Sequence, residues 1–404
     1  MSLLLLPLLA PPATSATLPA SLEWKRIGAS DIRQGVWHLL RNSYVAADDD
    51  TLRLDYSPST LSWMMHPPGA REDLRVAIAA SDTGMLVGFI CAVPSAICLN
   101  GERCDDAVEV SLLCIRQDWR RKGLATILLR ELRRRAEGAR VQCAIYTASR
   151  PRLHAPMARA DCYHRPLRPL ELLKNGFWQV DEEQIETLLS QQQRPQQEEL
   201  RAALSAAARL PDAPHSGKWR RMRRADAEAC RELLDKRAAA FALAPSFPTI
   251  EAFEHRFLGH GSHSFVLLPP HRRGGRGGRS RPPQQPLGFV SFSLLPLRAP
   301  SSGARIVQAQ LLGFAAASTA ATDSAHGEDR ADILPELLAG ALREAHRMGV
   351  HVFNANRMAE LTARLLEGLG FRQGDAATFI CVDGDGGGRR AWLEAAEVAW
   401  LPVL

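Results

Sequence analysis

The sequence predicts an α/β (α+β) protein made of two similar units in tandem, each a mixed sheet flanked by helices. Its 404 residues are enough for two or three domains of about 150 residues each. In each half, two apolar strand-like segments precede a helix, another strand and a second helix that ends in a Gly-Phe dipeptide. Strands joined by crossover helices indicate a mixed sheet with helical cover. The recurrence of the whole order indicates an internal duplication.

The individual elements follow from local patterns. Residues 86–93 (LVGFICAV) and 287–294 (LGFVSFSL) are continuous apolar runs of a length typical of buried strands. The helix predicted at 123–136 is amphipathic, with leucine and isoleucine recurring on one side after a glycine start. The remaining elements are second strands at 107–115 and 306–314, a helix at 331–348, third strands at 141–146 and 350–354, and closing helices that end at Gly176-Phe177 and Gly370-Phe371.

Composition places the chain among globular proteins. It is 46% hydrophobic and 23% charged, which excludes wholesale disorder, a collagen repeat and a disulfide-stapled miniprotein. The net charge of +6 is mild for this length, so we expect no nucleic-acid partner on that ground. The eight cysteines include no CxxC pair and no metal-ligand spacing. We therefore expect reduced thiols, a cytoplasmic location and no metal.

Two polar stretches divide the chain. The Gln-rich residues 188–200 are typical of a linker, and residues 269–286 contain HRRGGRGGRSRPPQQP, which is typical of a flexible surface insertion. We therefore predict an N-terminal extension at 1–20, a first domain at 21–190, a linker at 191–216, and a second domain at 217–404 with a disordered insertion at 270–286.

The turn between the second strand and the first helix carries the clearest chemical signal. Arg120, Arg121 and Lys122 precede Gly123 and the amphipathic helix. A helix N-terminus presents unpaired N–H groups and a partial positive charge, and glycine lets a ligand approach the backbone closely. A basic helix start alone is also typical of a solvated surface. The strand before it and the helix after it favour a pyrophosphate site.

This order of elements, with RRKGLA at 120–125, resembles the GNAT acyltransferases, whose R-x-x-G-x-A pattern holds the pyrophosphate of coenzyme A. Beyond the turn, the chain resembles the glycylpeptide N-tetradecanoyltransferase (N-myristoyltransferase) family, a fused pair of GNAT-like domains. The matching segments occur in order from about residue 18 to the last residue. They include YVAADDD at 44–50, LRLDYSP at 52–58, EVSLLCI at 109–115, YTA at 146–148, HR at 164–165, VFNA at 352–355, and GF with GD at 370–375.

The resemblance implies that myristoyl-CoA is the co-substrate and that the tetradecanoyl group moves to the N-terminal glycine amine of a protein or peptide. Backbone N–H groups of Leu112 and Leu113 would form the oxyanion hole, and the terminal carboxylate of Leu404 would accept the amine proton. The residues implied to hold acyl-CoA are Leu112, Leu113, Cys114, Ile115, Arg120, Arg121, Lys122, Gly123, Leu124, Ala125 and Thr126. Those implied to contact the peptide are Tyr44, Asp48, Leu52, Leu54, Tyr56, Ser111, Thr147, His164, Phe177 and Asp375.

The sequence also departs from the family pattern. Ala46 and Ala47 replace an acidic pair, and Tyr163 stands where the family has tryptophan. These departures leave three alternatives open. The chain could be a GNAT-type N-acyltransferase for a shorter acyl-CoA, a catalytically weak acyl-CoA or glycine-peptide binding homologue, or an RNA-associated module that uses the RGG stretch. We expect a monomer.

Overall fold

The structure is a computed structural model that describes residues 17–44, 52–149, 156–175, 202, 208–270, 285–299, 302–317, 333–384 and 392–399. Within these ranges the strands are β1 (Leu22–Lys25), β2 (Arg53–Leu54), β3 (Arg75–Ala80), β4 (Leu86–Leu99), β5 (Glu102–Ile115), β6 (Cys143–Ala148), β7 (Ala158–Pro166), β8 (Lys218–Arg221), β9 (Leu243–Ser246), β10 (Ser262–Leu268), β11 (Gly288–Arg298), β12 (Arg305–Ala316), β13 (Val352–Asn356) and β14 (Arg372–Gly384). The helices are α1 (Ala29–Asp31), α2 (Trp37–Ser43), α3 (Pro58–Met65), α4 (Leu124–Gly138), α5 (Pro169–Lys174), α6 (Ala227–Ala238), α7 (Ile250–Leu258), α8 (Leu334–Arg347) and α9 (Ala363–Gly368).

The predicted repeat is present in the sheet. In the first half, β3, β4 and β5 are antiparallel neighbours, and β5 then runs parallel to β6. In the second half, β10, β11 and β12 are antiparallel neighbours, and β12 runs parallel to β13. Helices α4 and α8 make the two crossovers that parallel pairing requires. The α/β prediction of mixed sheets flanked by helices is confirmed.

The two halves join into one continuous sheet by exchanging strands. The order across the sheet is β1-β3-β4-β5-β6-β14-β7-β13-β12-β11-β10-β8, with β2 on β11 and β9 on β4. Strand β14 comes last in the chain yet pairs with β6 of the first half, while β7 of the first half pairs with β13 of the second. Each half therefore needs a strand of the other to complete its sheet.

The crossover helices cover the sheet with regularly spaced apolar side chains. Leu124, Leu128 and Leu132 of α4 recur every four residues and pack on the buried sheet residues of the first half. Leu338 and Leu342 of α8 show the same spacing in the core of the second half. Across the described ranges, every helix is too short or too polar to cross a bilayer.

The predicted domain boundaries fall largely on residues outside the described ranges. The extension at 1–20, the linker at 191–216 and the insertion at 270–286 are described only at their edges. Gly176 and Phe177 also lie outside, directly after α5, whereas Gly370 follows α9 as a left-handed residue with φ of 78°. The domain boundaries therefore stay a prediction.

Phe292 of β11 offers a test of the shared core. It is fully buried, and its ring lies 5.4 Å from that of Phe353 on β13 and 6.1 Å from that of Phe265 on β10. We expect Phe292→Ala to lower the free energy of unfolding by about 3–5 kcal/mol, because it leaves a cavity between three strands. Leu170→Ala, at a partly exposed position of α5, should change it by less than about 0.5 kcal/mol. Urea unfolding measures both, and equal effects would contradict the assignment of Phe292 to the core.

Candidate active site

A β-bulge interrupts β5 in the middle of the sheet. Along β5 the ladder skips from Ser111 to Cys114 while it advances by only two residues along β4, so Leu112 and Leu113 together oppose one partner residue. Leu112 has φ of 57°, the left-handed region that a branched side chain rarely occupies. A bulge takes its backbone out of the regular ladder. This segment can therefore present N–H groups to a ligand.

Strands β5 and β6 separate beside the bulge. They pair over three registers only, and the last of these joins Glu109 to Ile145. Beyond that point β5 stays with β4 up to Ile115, whereas β6 pairs with β14 up to Ala148. The two strands therefore diverge into an opening, which we call the wedge, and the bulge lies on its β5 arm.

The end of β5 leads through a tight turn into α4. Gly123 is the N-cap residue, with φ of 75° and no atoms near the position that a Cβ would take. Leu124 and Ala125 are buried and anchor the first turn of the helix, while Thr126 is partly buried. A glycine cap has no side chain to satisfy the first N–H groups of a helix. A ligand can therefore approach the backbone closely at Gly123.

The three cations of this turn have different surroundings. The Nε atom of Arg120 donates to the carbonyl of Ile115 at 3.2 Å, and its Nη2 atom donates to the last carbonyl of α2. Arg121 and Lys122 are exposed. Arg120 therefore fastens the turn to β5 and α2, and Arg121 and Lys122 are placed to meet a ligand in solvent.

An apolar cluster with neutral polar groups lies beneath the bulge. Tyr44, Tyr56 and Cys114 pack there with Leu112. Burial raises the pKa of Cys114 to about 12, against a lowering influence of Arg120. Burial, and then Cys114, raise the pKa of Tyr44 to about 12, and burial raises the pKa of Tyr56 still further. These groups therefore stay protonated near pH 7 and act as hydrogen-bond donors, not as bases.

Beyond the β6 arm of the wedge, the neighbouring strands β14, β7 and β13 bring residues of both halves together. The Nδ1 atom of His164 on β7 lies 2.8 Å from Oδ1 of Asn354 on β13, whose amide donates to Gln308 at 2.9 Å. A Cβ on Gly374 would lie 2.5 Å from Nε2 of His164, so β14 passes directly against this ring. Asp375 follows on the same strand and is exposed.

The remaining predicted contacts are scattered or undescribed. Thr147 of β6 lies opposite Ile380 of β14. Leu52 packs in a second cluster with β11, Leu54 packs against both that cluster and the one beneath the bulge, and Ser111 precedes the bulge. The residues that lie outside the described ranges are Asp48, Phe177 and Leu404.

The sequence argument missed a buried ion pair at the apex of the wedge. Glu109 lies at the last register shared by β5 and β6, and its Oε2 atom is 3.8 Å from Nη1 of Arg256. Burial lowers the pKa of Arg256, and Glu109 opposes this effect. A carboxylate inside the apolar run at 107–115 was the available signal. Within the described ranges, no three His, Cys, Asp or Glu side chains are grouped to hold a metal ion.

The last described segment of the chain is buried next to β9. Val398 forms a parallel bridge with Leu243, and the amide of Ala399 donates to the carbonyl of Leu243 at 2.7 Å. Strand β9 pairs in turn with β4, from Leu99 to Ala96. The direction of the chain at Ala399 is therefore along β9, towards the part of β4 that lies beside the apex of the wedge.

The chain has relatives among known proteins over most of its length. Residues 9–160 match the family described as Myristoyl-CoA:protein N-myristoyltransferase, N-terminal domain. The glycylpeptide N-tetradecanoyltransferase of Drosophila melanogaster is 31% identical over 244 residues, which are 60% of this chain and 48% of that protein. The Candida albicans enzyme of the same name is 29% identical over 344 residues, 83% of this chain and 70% of that protein. The chain is thus similar to N-myristoyltransferases, most clearly over its first half. The match thus spans about half the length of the fruit-fly relative.

The fold agrees with this similarity. The Saccharomyces cerevisiae N-myristoyltransferase solved with bound myristoyl-CoA superposes with a TM-score of 0.75 at 23% identity, over 95% of this chain and 82% of that one. The family resemblance drawn from the sequence is confirmed. The roles of individual site residues in this N-myristoyltransferase homologue stay predictions.

The buried thiol of Cys114 predicts a change of stability with pH. Its pKa is about 12 in the fold and 9.0 ordinarily, so the unfolded chain loses this proton first and stability falls as pH rises from about 9 towards 12. Between pH 8 and about pH 10.5, the protein should lose about 2 kcal/mol more unfolding free energy than Cys114→Ala. Urea unfolding at the two pH values measures this.

Val93→Ala, in the same cluster, is the matched control because it removes no titrating group. It should lower stability equally at both pH values. A Cys114→Ala protein with the full alkaline loss would contradict the burial argument.

Proposed function

We propose that this chain transfers the tetradecanoyl group of myristoyl-CoA to the N-terminal glycine amine of protein substrates. The observation that carries the proposal is the bulge at Leu112 and Leu113, which lies on the open arm of the wedge directly before the basic turn of α4. The relatives of this chain in Drosophila melanogaster and Candida albicans are named for this reaction. Acyl transfer needs donors for a developing oxyanion next to a site for the CoA phosphates, and this segment provides both in sequence.

The turn and the start of α4 would hold the CoA pyrophosphate. Gly123 and the side chains of Arg121 and Lys122 are exposed together at the start of α4. Anions bind favourably at helix N-termini, and ionised donors strengthen bonds to phosphate. Arg120 would act by keeping the turn in place, because its guanidinium already binds two backbone carbonyls.

The thioester carbonyl would point at the N–H groups of Leu112 and Leu113. The glycine amine attacks the carbonyl carbon, the oxyanion forms at the bulge, and collapse of this intermediate expels CoA as its thiolate. An α-amine with a pKa near 8 is mostly protonated at pH 7. Loss of that proton costs about 1–2 kcal/mol, which is a modest part of the barrier.

The substrate peptide would lie along the other arm of the wedge. Thr147 lies on β6 and His164 on β7, with Asp375 exposed on β14 between these two strands. Tyr56 and Ser111 lie on the β5 side. An exposed carboxylate at this edge suits a basic side chain downstream of the glycine. A cytoplasmic location and a monomeric state are part of the same proposal.

The terminal carboxylate of Leu404 would be the base. The burial of Val398 and Ala399 next to β9 supports this, because the chain already points along β4. Five further residues in extended form would advance about 16 Å, which reaches the level of the wedge apex. In an apolar setting desolvation makes a carboxylate more basic.

Ligand binding and turnover with acyl-CoAs of increasing chain length test the proposal. We expect the melting temperature to rise most with myristoyl-CoA, since a ligand that binds only the folded state stabilises it. Label from radioactive myristoyl-CoA should appear on a glycine-initiated peptide and not on its acetylated form. A preference for acetyl-CoA would favour the shorter-chain alternative, and binding without transfer would favour the weak homologue.

The basic turn gives a specific prediction for acyl-CoA affinity. We expect the double variant Arg121→Ala and Lys122→Ala to weaken myristoyl-CoA binding about 10- to 100-fold, because two charge-assisted contacts with phosphate are lost. Titration calorimetry measures this. Arg130→Ala removes an exposed arginine of the same helix, about two turns further from the site, and should change affinity less than about twofold. Similar losses in both proteins would indicate a general charge effect.

Removal of Val403 and Leu404 tests the base. The shortened chain should still bind myristoyl-CoA with nearly unchanged affinity but lose turnover by about 100-fold or more, within the range that general base catalysis contributes. Single-turnover transfer measures the chemical step. A shortened chain with full turnover would show that another group accepts the proton.

A further inference from the structure

Two thiols lie side by side where β5 and β6 begin to pair, before the wedge opens. The Sγ atom of Cys104 on β5 is 3.3 Å from the Sγ atom of Cys143 on β6. Cys104 is partly exposed and Cys143 is buried, and none of the eight cysteines is in a disulfide. A disulfide bond is about 2.05 Å long, so the two sulfurs need to approach by little more than about 1 Å.

The backbone around the two thiols is already fixed in register. Cys143 is the first residue of β6 and pairs with Ala107. The amide of Gln142 donates to the carbonyl of Asp106 at 2.9 Å. The thiol of Cys104 also donates to Oε1 of Gln142 at 3.6 Å. The two strands therefore hold the sulfurs together before any bond forms, which lowers the entropy that bond formation would otherwise cost.

We propose that Cys104 and Cys143 are a modification site that forms a reversible disulfide with glutathione disulfide as the oxidant. The bond would close the chain from 104 to 143 into a loop. This loop contains the bulge, the basic turn and α4, the segment in which the sequence places the acyl-CoA site. The wedge itself begins beyond Glu109. The bond would therefore join β5 and β6 before they diverge and leave both arms of the wedge separate. The proposal does not rest on acyl transfer.

The reaction balances as two successive thiol–disulfide exchanges. The partly exposed Cys104 thiolate attacks glutathione disulfide, forms a mixed disulfide and releases one glutathione thiolate. The Cys143 thiolate then attacks the Cys104 sulfur and releases the second glutathione thiolate. The two thiol protons end on the two glutathiones, and the two electrons reduce the glutathione disulfide. Excess reduced glutathione reverses both steps, so the pair stays reduced in a reducing compartment.

Mass spectrometry of the full-length protein tests the proposal. After treatment with glutathione disulfide we expect the intact mass to fall by two hydrogens, peptide mapping to join Cys104 to Cys143, and dithiothreitol to reverse the change. The melting temperature should rise by about 2–6 °C in the oxidised form, since the loop restricts the unfolded chain. A glutathione adduct with no internal bond, or no reaction, would overturn the proposal.

Single variants separate the two steps. Cys143→Ser should stop at the mixed disulfide and keep one glutathione on Cys104, whereas Cys104→Ser should give neither product. Cys98→Ser removes another partly exposed cysteine, on the neighbouring β4, and should leave the internal bond intact. Phenylarsine oxide, which bridges adjacent thiols, needs no variant. It should bind one equivalent in the reduced protein and none in the oxidised one, and equal binding to both forms would contradict the pairing.

Discussion

The short pairing between β5 and β6 is the constraint on which the rest of the structure depends. Strand β5 has β4 beside it along its whole length but shares only three registers with β6. Backbone polar groups inside a protein need partners, so a strand that loses its neighbour in mid-sheet presents donors and acceptors to whatever enters the gap. The bulge at Leu112 and Leu113 lies on this unpaired stretch. The opening beside the bulge is thus a direct consequence of sheet topology.

The exchange of strands makes the wedge a product of both halves. Strand β14 of the second half occupies the side of β6 that faces away from β5, so it sets where the second arm points. It also brings Gly374 against His164, and β7 brings His164 to Asn354. Neither half alone supplies both arms with their polar groups. The two repeated units therefore contribute to one opening. In the second half, β12 has a bulge at Leu312, which is a further sign of the repeat.

Local sequence patterns predicted the repeated elements well and the long-range pairing poorly. The helices expected at 123–136 and 331–348 are α4 and α8 within a few residues, because leucine periodicity fixes an amphipathic helix. Strands β7 and β14 were missed, because their sequences mix charged and apolar residues without a clean alternation. The bulge could not be predicted from the sequence, since neither Leu112 nor Leu113 is a glycine that would indicate a left-handed residue. Arg120 and Arg121 are the same residue type, and only the fold shows that Arg120 binds backbone carbonyls while Arg121 is exposed.

The charges around the wedge also bear on where a proton acceptor would come from. Cys114 and Tyr44 are kept neutral by burial, so beneath the bulge neither group takes up a proton near pH 7. At the apex, the carboxylate of Glu109 lies 3.8 Å from the guanidinium of Arg256. On the basic turn, Arg120, Arg121 and Lys122 are cationic. The proposed base, the terminal carboxylate, would reach the wedge from another part of the chain, and at Ala399 a buried segment runs along β9.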